Sequence, residues 1–312
     1  MKGLELSERF WTELLRPALE KQRPELLARV AAGLCGGGSD CLGYDDALSR
    51  DHGFAAGCMV FISRREEREI GFALSTIYDR LPKEFLGFSA EHRSRQGDGR
   101  YGVKTIEGFF TPLTGTPGAP ADWRQWLSIP ESYLAQAVAG KVFYDGPGEF
   151  SRIRDEILHG MSEDVRLKKM AARAALMAQS GQYNFARCRR HGEEYAARLA
   201  AVEFVRESLG MIFLLNRRFM PYYKWAFRAL RVLPLLAAEA ESLEFLLSTD
   251  NSPEMAEEKY YAIEDLAAHV IGALQDQGLT EAVCGDLEKH AYSVNDSIAD
   301  NELRARHILS AV

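Results

Sequence analysis

No apolar run in this sequence approaches the roughly 18 to 20 residues needed to span a bilayer. No N-terminal stretch joins a basic flank, an apolar core and a small-residue cleavage site, so a cytoplasmic location is expected. Cysteine is scarce: Cys35, Cys41, Cys58, Cys188 and Cys284 are odd in number, scattered, and form no CxxC pair. A disulfide framework and a cysteine zinc site are both disfavoured, and reduced thiols are expected. An excess of positive charge is also missing. A net charge of −7 with a pI near 5.6 gives no global attraction to nucleic acid or anionic membrane, leaving at most a local basic patch. Neither is an expected partner. No repeat of fixed period and no low-complexity tract is present either, so the chain reads as ordinary globular protein, one large domain or two smaller ones.

What is present begins with a leader helix. Residues 6–26 set Phe10, Leu14, Leu15 and Leu19 at helical spacing, with Pro17 as a point of kinking. "LLARVAAGLCG" and "FAAGCMVFI" (54–62) are short, apolar and suited to buried strands. "REEREIGFALSTIYDRL" (65–81) predicts an amphipathic helix with Ile70, Leu74 and Ile77 on one face, and "YGVKTIEGFF" (101–110) returns to strand chemistry. Three prolines and two glycines between Thr111 and Asp122 mark the exit from this first domain, and "YDGPGEF" (144–150) marks a second break. Beyond it apolar residues recur at three- and four-residue spacing, which predicts a helical bundle with Ser162 and Ser252 at N-caps and Pro253 at a first helical position. The expected class is α+β: a mixed-sheet domain over 1–118 followed by an all-α domain over 119–312.

The two expected strands are joined by "GGGSDCLGYDDALSRDHG" (36–53), glycines followed by four further acids. A plain surface turn explains Gly, Ser and Asp. A phosphate site explains them too: backbone amides wrap a triphosphate closely where no side chain intrudes, and the Ser39 hydroxyl adds a donor. Carboxylates at the next strand edge then hold magnesium or manganese, which neutralises charge as a nucleophile displaces pyrophosphate. Asp45 and Asp46 either cap the following turn, pair with Arg50, or approach that metal. In "QYNFARCRRHGEE" (182–194), Arg187 and Arg189 form either a solvated basic turn or a lip on the triphosphate. "LLNRRFMPYYKW" (214–225) reads as a proline-broken helix with Asn216 satisfying freed backbone, and Lys224 is a candidate for the cleft. Glu203, an acid on an apolar helix face, is either paired with a buried arginine or a general base for an acceptor hydroxyl.

Gly38-Ser39, then residues 40–50, then Asp51-His52-Gly53 resembles the nucleotidyltransferase superfamily signature of Gly-Ser followed by Asp-x-Asp or Asp-x-Glu at a strand start. "GGGSDCLGYDDALSRDHGF", "EDVRLKKMAARAALMAQSGQYNFARC" and "FLLNRRFMPYYKWAFRAL" are similar to the nucleotidyltransferase-like family catalogued as domain of unknown function 4037. The resemblance implies a nucleotidyltransferase-fold mixed sheet followed by a helical substrate-binding domain, with transfer of a nucleoside monophosphate from a nucleoside triphosphate to a small-molecule acceptor in an interdomain cleft. It makes Gly38 and Ser39 the phosphate contacts, Asp51 the first metal carboxylate, and Glu107 the candidate third-strand acid. Gly53 stands where the family carries a second acid, which implies a catalytically degenerate nucleotide- or partner-binding module as the alternative.

Overall fold

The computed structural model describes residues 1–51, 54–90 and 100–311, and of Arg50 and Asp51 only the backbone. The fold is α+β. Two compact units divide the chain, one of residues 1–121 and 133–160, the other of residues 122–132 and 161–312.

In the first unit, α1 (Gly3–Phe10), a π-helical turn (Trp11–Leu15) and α2 (Arg16–Gln22) form the leader, and Pro17 follows the π turn within the first turn of α2. The strands are β1 (Ala31–Cys35), β2 (Met59–Ile62), the small hairpin β3 (Glu84–Phe85) and β4 (Phe88–Ser89), β5 (Gly102–Thr105) and β6 (Gly140–Asp145). The main sheet runs β5-β2-β1-β6, with β1 antiparallel to both neighbours and β2 parallel to β5, the mixed sheet that was expected. Side chains alternate across it. Val60 and Ile62 join Phe10, Trp11, Leu74 and Tyr78 in one core, while Phe61 lies on the other face, stacked 3.9 Å from Phe150.

Crossover helix α3 (Arg64–Asp79) starts where Ser63 accepts from the Glu66 N–H, a capping-box sequence, and buries Ile70, Leu74 and Ile77 as its periodicity demands. The expected strand over 101–110 is cut short. Thr105 accepts from the Gly108 N–H and turns the chain into α4 (Ile106–Thr114), so Glu107 sits in a helix and not on a strand. Helix also follows in α5 (Trp123–Ser128), α6 (Glu131–Val138) and α7 (Glu149–Gly160). Between the last two, β6 returns to the sheet and pairs with β1, which is why 133–160 cluster with the first unit and not with the rest of the domain expected over 119–312.

The second unit is helical: α8 (Glu163–Met177), a π-helical stretch (Ala178–Phe185), α9 (Ala186–Arg190), α10 (Glu194–Leu215), α11 (Tyr223–Leu230), α12 (Glu239–Ser248), α13 (Pro253–Asp276), α14 (Leu287–Asp296) and α15 (Asn301–Ala305). Ser162 caps α8 through the Val165 N–H, and Asn216 bonds to Ile212 O and to both backbone groups of Leu235 past the end of α10. No helix of the described residues is long and apolar enough to cross a membrane. All five cysteines are free, and burial pushes the Cys35 and Cys41 thiols up to about 11 and about 12.

Candidate functional site

β1 delivers the chain into Gly36, whose φ of +102° places it in the left-handed region that favours glycine. Gly37 is exposed, and the turn continues through Ser39 into Asp40, which is buried. Asp40 Oδ1 accepts from the Cys41 N–H at 2.7 Å and from the Arg100 guanidinium. Burial works against the Arg100 charge, and Asp40 more than offsets it, so the guanidinium is held firmly protonated. A cation therefore stands over the glycine turn: a Cβ on Gly38 would meet Arg100 Nη2 at 2.5 Å and Asp40 Oδ1 at 2.6 Å. Sequence reasoning missed this residue. Arg100 lies 60 positions from its partner, and nothing in "GDGRYGV" ties it to the turn.

The acids read as metal ligands have other tasks. Asp45 is buried and accepts from the Gly3 N–H through Oδ2 at 2.8 Å, capping α1, while its Oδ1 lies 3.5 Å from the Lys2 ammonium. Asp46 Oδ1 accepts from both the Ser49 N–H and hydroxyl at 3.0 Å, closing the turn that leads to the 3-10 segment Leu48–Asp51. Glu107 accepts from the Arg64 N–H with both oxygens, at 3.1 and 3.0 Å, and so caps α3 beside Ser63. The backbone of Asp51 ends the 3-10 segment, ahead of β2 at Met59, so it does not open that strand; its side chain, His52 and Gly53 lie outside the described residues. Among the described residues no group of three or more His, Cys, Asp or Glu is placed to hold a metal ion. Of the acids expected at magnesium, Asp45, Asp46 and Glu107 each accept from backbone N–H groups.

Glu107's capping role has a measurable consequence. Glu107→Ala should lower stability by about 1 kcal/mol in urea denaturation without added metal, the usual cost of losing an N-terminal acceptor, with Glu107→Gln in between. Unchanged stability in Glu107→Ala would return the residue to the list of free carboxylates.

In the second unit, Arg187 lies over the ring of Tyr183 at 5.6 Å, Arg189 pairs with Glu194, and Lys224 lies over Trp225 at 5.2 Å. Glu203 is half-buried and pairs with Arg206 at 3.0 Å. The buried acid of α10 is Glu207, one turn further on. It belongs to a cluster the sequence reading passed over. α8 buries Arg166, Lys168, Lys169 and Arg173, whose positions 166, 169 and 173 share a helix face. Arg173 is held between Glu207, at 2.7 Å, and Glu131 at the start of α6; Lys169 lies 3.4 Å from Glu131. Burial pushes the Glu131 carboxyl up, but Arg173 and Lys169 outweigh it and hold it below the usual range. Burial also holds the Lys169 ammonium below its ordinary value. The available signal was cations recurring in an otherwise Ala-, Leu- and Met-rich helix, which a solvated face does not explain.

Residues 126–226 match the family described as Domain of unknown function (DUF4037). The matched segment contains Glu131, Lys169, Arg173 and Glu207 and does not include the glycine turn. A solved structure of a nucleotidyltransferase-like protein from Exiguobacterium sibiricum 255-15 is similar at a TM-score of 0.37, with 10% identity and 90% of each chain covered. No curated protein matches.

Proposed function

We propose that the first unit binds the phosphates of a nucleoside triphosphate at the Gly36–Ser39 turn, and that the protein transfers the nucleoside monophosphate to a small-molecule acceptor. In that reaction an acceptor hydroxyl attacks the α-phosphorus, the bond to the β-phosphate oxygen breaks, pyrophosphate leaves, and a base takes the hydroxyl proton. The observation that carries the reading is the Arg100 guanidinium, fixed by buried Asp40 over an accessible glycine turn. Arginine suits phosphate oxygens because its charge is permanent and its N–H groups are planar.

Binding without transfer is the second reading. It is favoured by the use of Asp45 and Glu107 as helix caps and of Asp46 in closing a turn onto Ser49, which leaves Asp51 as the expected metal ligand without another assigned task. Magnesium or manganese would then be held weakly, since fewer carboxylates face a dication.

Isothermal titration of ATP, GTP, CTP and UTP, with and without magnesium, tests binding, and pyrophosphate release in the presence of candidate acceptors separates the two readings. Arg100→Gln keeps a donor for Asp40 and removes the charge. It should weaken triphosphate binding about tenfold to a hundredfold, the scale of one hydrogen bond to a charged group, and leave nucleoside binding unchanged. Wild-type triphosphate affinity in a folded Arg100→Gln protein would sink the phosphate site. Gly38→Val is the poorer probe, because its side chain would first displace Arg100.

A further inference from the structure

Each glycine of the Gly36–Ser39 turn has a remote side chain resting on it. Arg100 lies over Gly38, a Cβ on Gly36 would meet the Phe109 ring at 3.4 Å, and one on Gly37 would meet Gln136 Oε1 at 2.7 Å. Arg100 is bonded to Asp40, and Phe109 packs on Phe61 and Phe150; the Gln136 amide has no such partner. It belongs to α6, whose last turn is fastened beside the glycines. Gly36 donates its N–H to Ala139 O at 3.4 Å, and Arg154 Nη2 donates to Val138 O at 2.6 Å and to Gly140 O at 3.1 Å. Arg154 thereby answers the carbonyl end of the helix, which would otherwise disfavour an anion. Among the described residues the half-buried Gln136 amide and Ser39 hydroxyl make no hydrogen bond, and both reach solvent. The N–H groups of Gly37, Gly38 and Ser39 have no acceptor there either. Successive unbonded backbone N–H groups make a concavity suited to an anion.

We propose that Gln136 is a second phosphate-binding side chain of this turn, an inference that rests on the phosphate reading above: its amide N–H donates to a phosphate oxygen beside those held by Arg100. A half-turn of the terminal torsion exchanges Oε1 for Nε2, so the side chain on Gly37 can present its N–H groups. Only glycine admits it so closely, because a Cβ at position 37 would occupy the place of the amide. Asp40 compensates the Arg100 charge, so further donors, neutral ones included, decide how firmly a polyphosphate is held. Residue 136 then sets the charge that the site tolerates. An amide admits successive phosphates, whereas a carboxylate of the same shape repels them.

The test is isothermal titration of the full chain with inorganic tripolyphosphate and with ATP, at one ionic strength and without magnesium, for wild type, Gln136→Leu, Gln136→Glu and Gln136→Lys. All three variants should unfold at the wild-type urea concentration, since the amide has no protein partner to lose. Gln136→Leu should weaken tripolyphosphate about tenfold, the scale of one lost hydrogen bond to a charged group, and Gln136→Glu about a hundredfold. Gln136→Lys should tighten it about tenfold. Opposite signs for Glu and Lys are foreign to a side chain that merely supports the turn, and the loss in Gln136→Leu separates direct contact from charge acting at a distance. Wild-type affinity in Gln136→Leu, or a lowered urea midpoint in Gln136→Glu, overturns the proposal; if Arg100→Gln still weakens tripolyphosphate, the phosphate reading survives that result. A wild type that binds neither probe overturns both. Tripolyphosphate binding that responds to residue 136 without any binding of ATP upholds Gln136 and overturns the nucleotide.

Discussion

Arg173→Met should lower the stability of the protein by about 3–5 kcal/mol, the usual result of deleting one partner from a buried ionic cluster. Glu131 and Glu207 accept from opposite ends of the guanidinium, and both are buried, so the variant leaves two carboxylates with little compensation. Lys169 still faces Glu131, and Arg206 still faces Glu207 from a largely exposed position. Neither replaces a bond at the centre of the cluster. Urea denaturation at neutral pH measures the loss. A triple variant that adds Glu131→Gln and Glu207→Gln should recover part of it, because the stranded charge is gone.

The pH dependence of the same pair of proteins has a definite sign. In the wild type the folded Glu131 carboxyl titrates below its unfolded value of about 4.3, so its contribution is fully present above that value and is lost as pH falls through the folded one. In Arg173→Met, burial without the guanidinium raises the carboxyl, so the folded state is penalised at neutral pH and relieved as pH falls. The stability gap between the two should therefore narrow on acidification from about pH 6 to pH 4. A gap that widens, or a loss below about 1 kcal/mol at neutral pH, would mean that the cluster is more hydrated than its burial indicates.

Gly140→Ala should be comparably severe for a different reason. Gly140 opens β6 at a φ of +84°, opposite Cys35, and a Cβ there would fall on the backbone carbonyl of Leu34 and within 2.8 Å of Cys35 Cα. Backbone cannot move aside as a side-chain tip can. Left-handed strain on a non-glycine residue adds about 1–2 kcal/mol, and forced overpacking about 1–3 kcal/mol more. The expected total is about 2–5 kcal/mol in urea denaturation. Gly148→Ala is the control. Its φ is +73° but no atom lies within 4 Å of the added methyl, so only the backbone term of about 1 kcal/mol remains. Equal losses at the two positions would show that φ alone governs this class of substitution here.

Local signals carried far in this chain. The short apolar run ending in "MVFI" predicts a buried strand, and the spacing of Ile70, Leu74 and Ile77 predicts α3 and its buried face. The α+β class, the buried β1 and β2, the crossover helix and the helical second half all follow from patterns a few residues long. The turn chemistry of Asp46 is equally local, since its acceptor serves Ser49 three positions away. Glu107 marks the edge of such reasoning: "YGVKTIEGFF" suits a strand throughout, and one hydroxyl, Thr105 on the Gly108 N–H, converts its second half to helix.

What tertiary structure alone decided is the partner of the acids and bases that reach across the chain. Asp45 caps a helix 42 positions away, Glu107 one 43 positions away, and Asp40 holds an arginine 60 positions away. Glu203 and Glu207 lie one turn apart on the same helix, and it is the arrival of Arg173, 34 positions off, that buries the second and leaves the first half-exposed. β6 likewise joins the sheet through pairing with a strand more than a hundred residues earlier. The physical reason is common to all of them. Periodicity and capping are properties of neighbouring residues and are written in short windows, whereas a charge has the same local appearance whether it is solvated, caps a distant helix or is buried against a counter-charge. Only the packing of remote elements sets the solvent exposure and partners that distinguish those states, and with them the difference between a metal ligand and a helix cap.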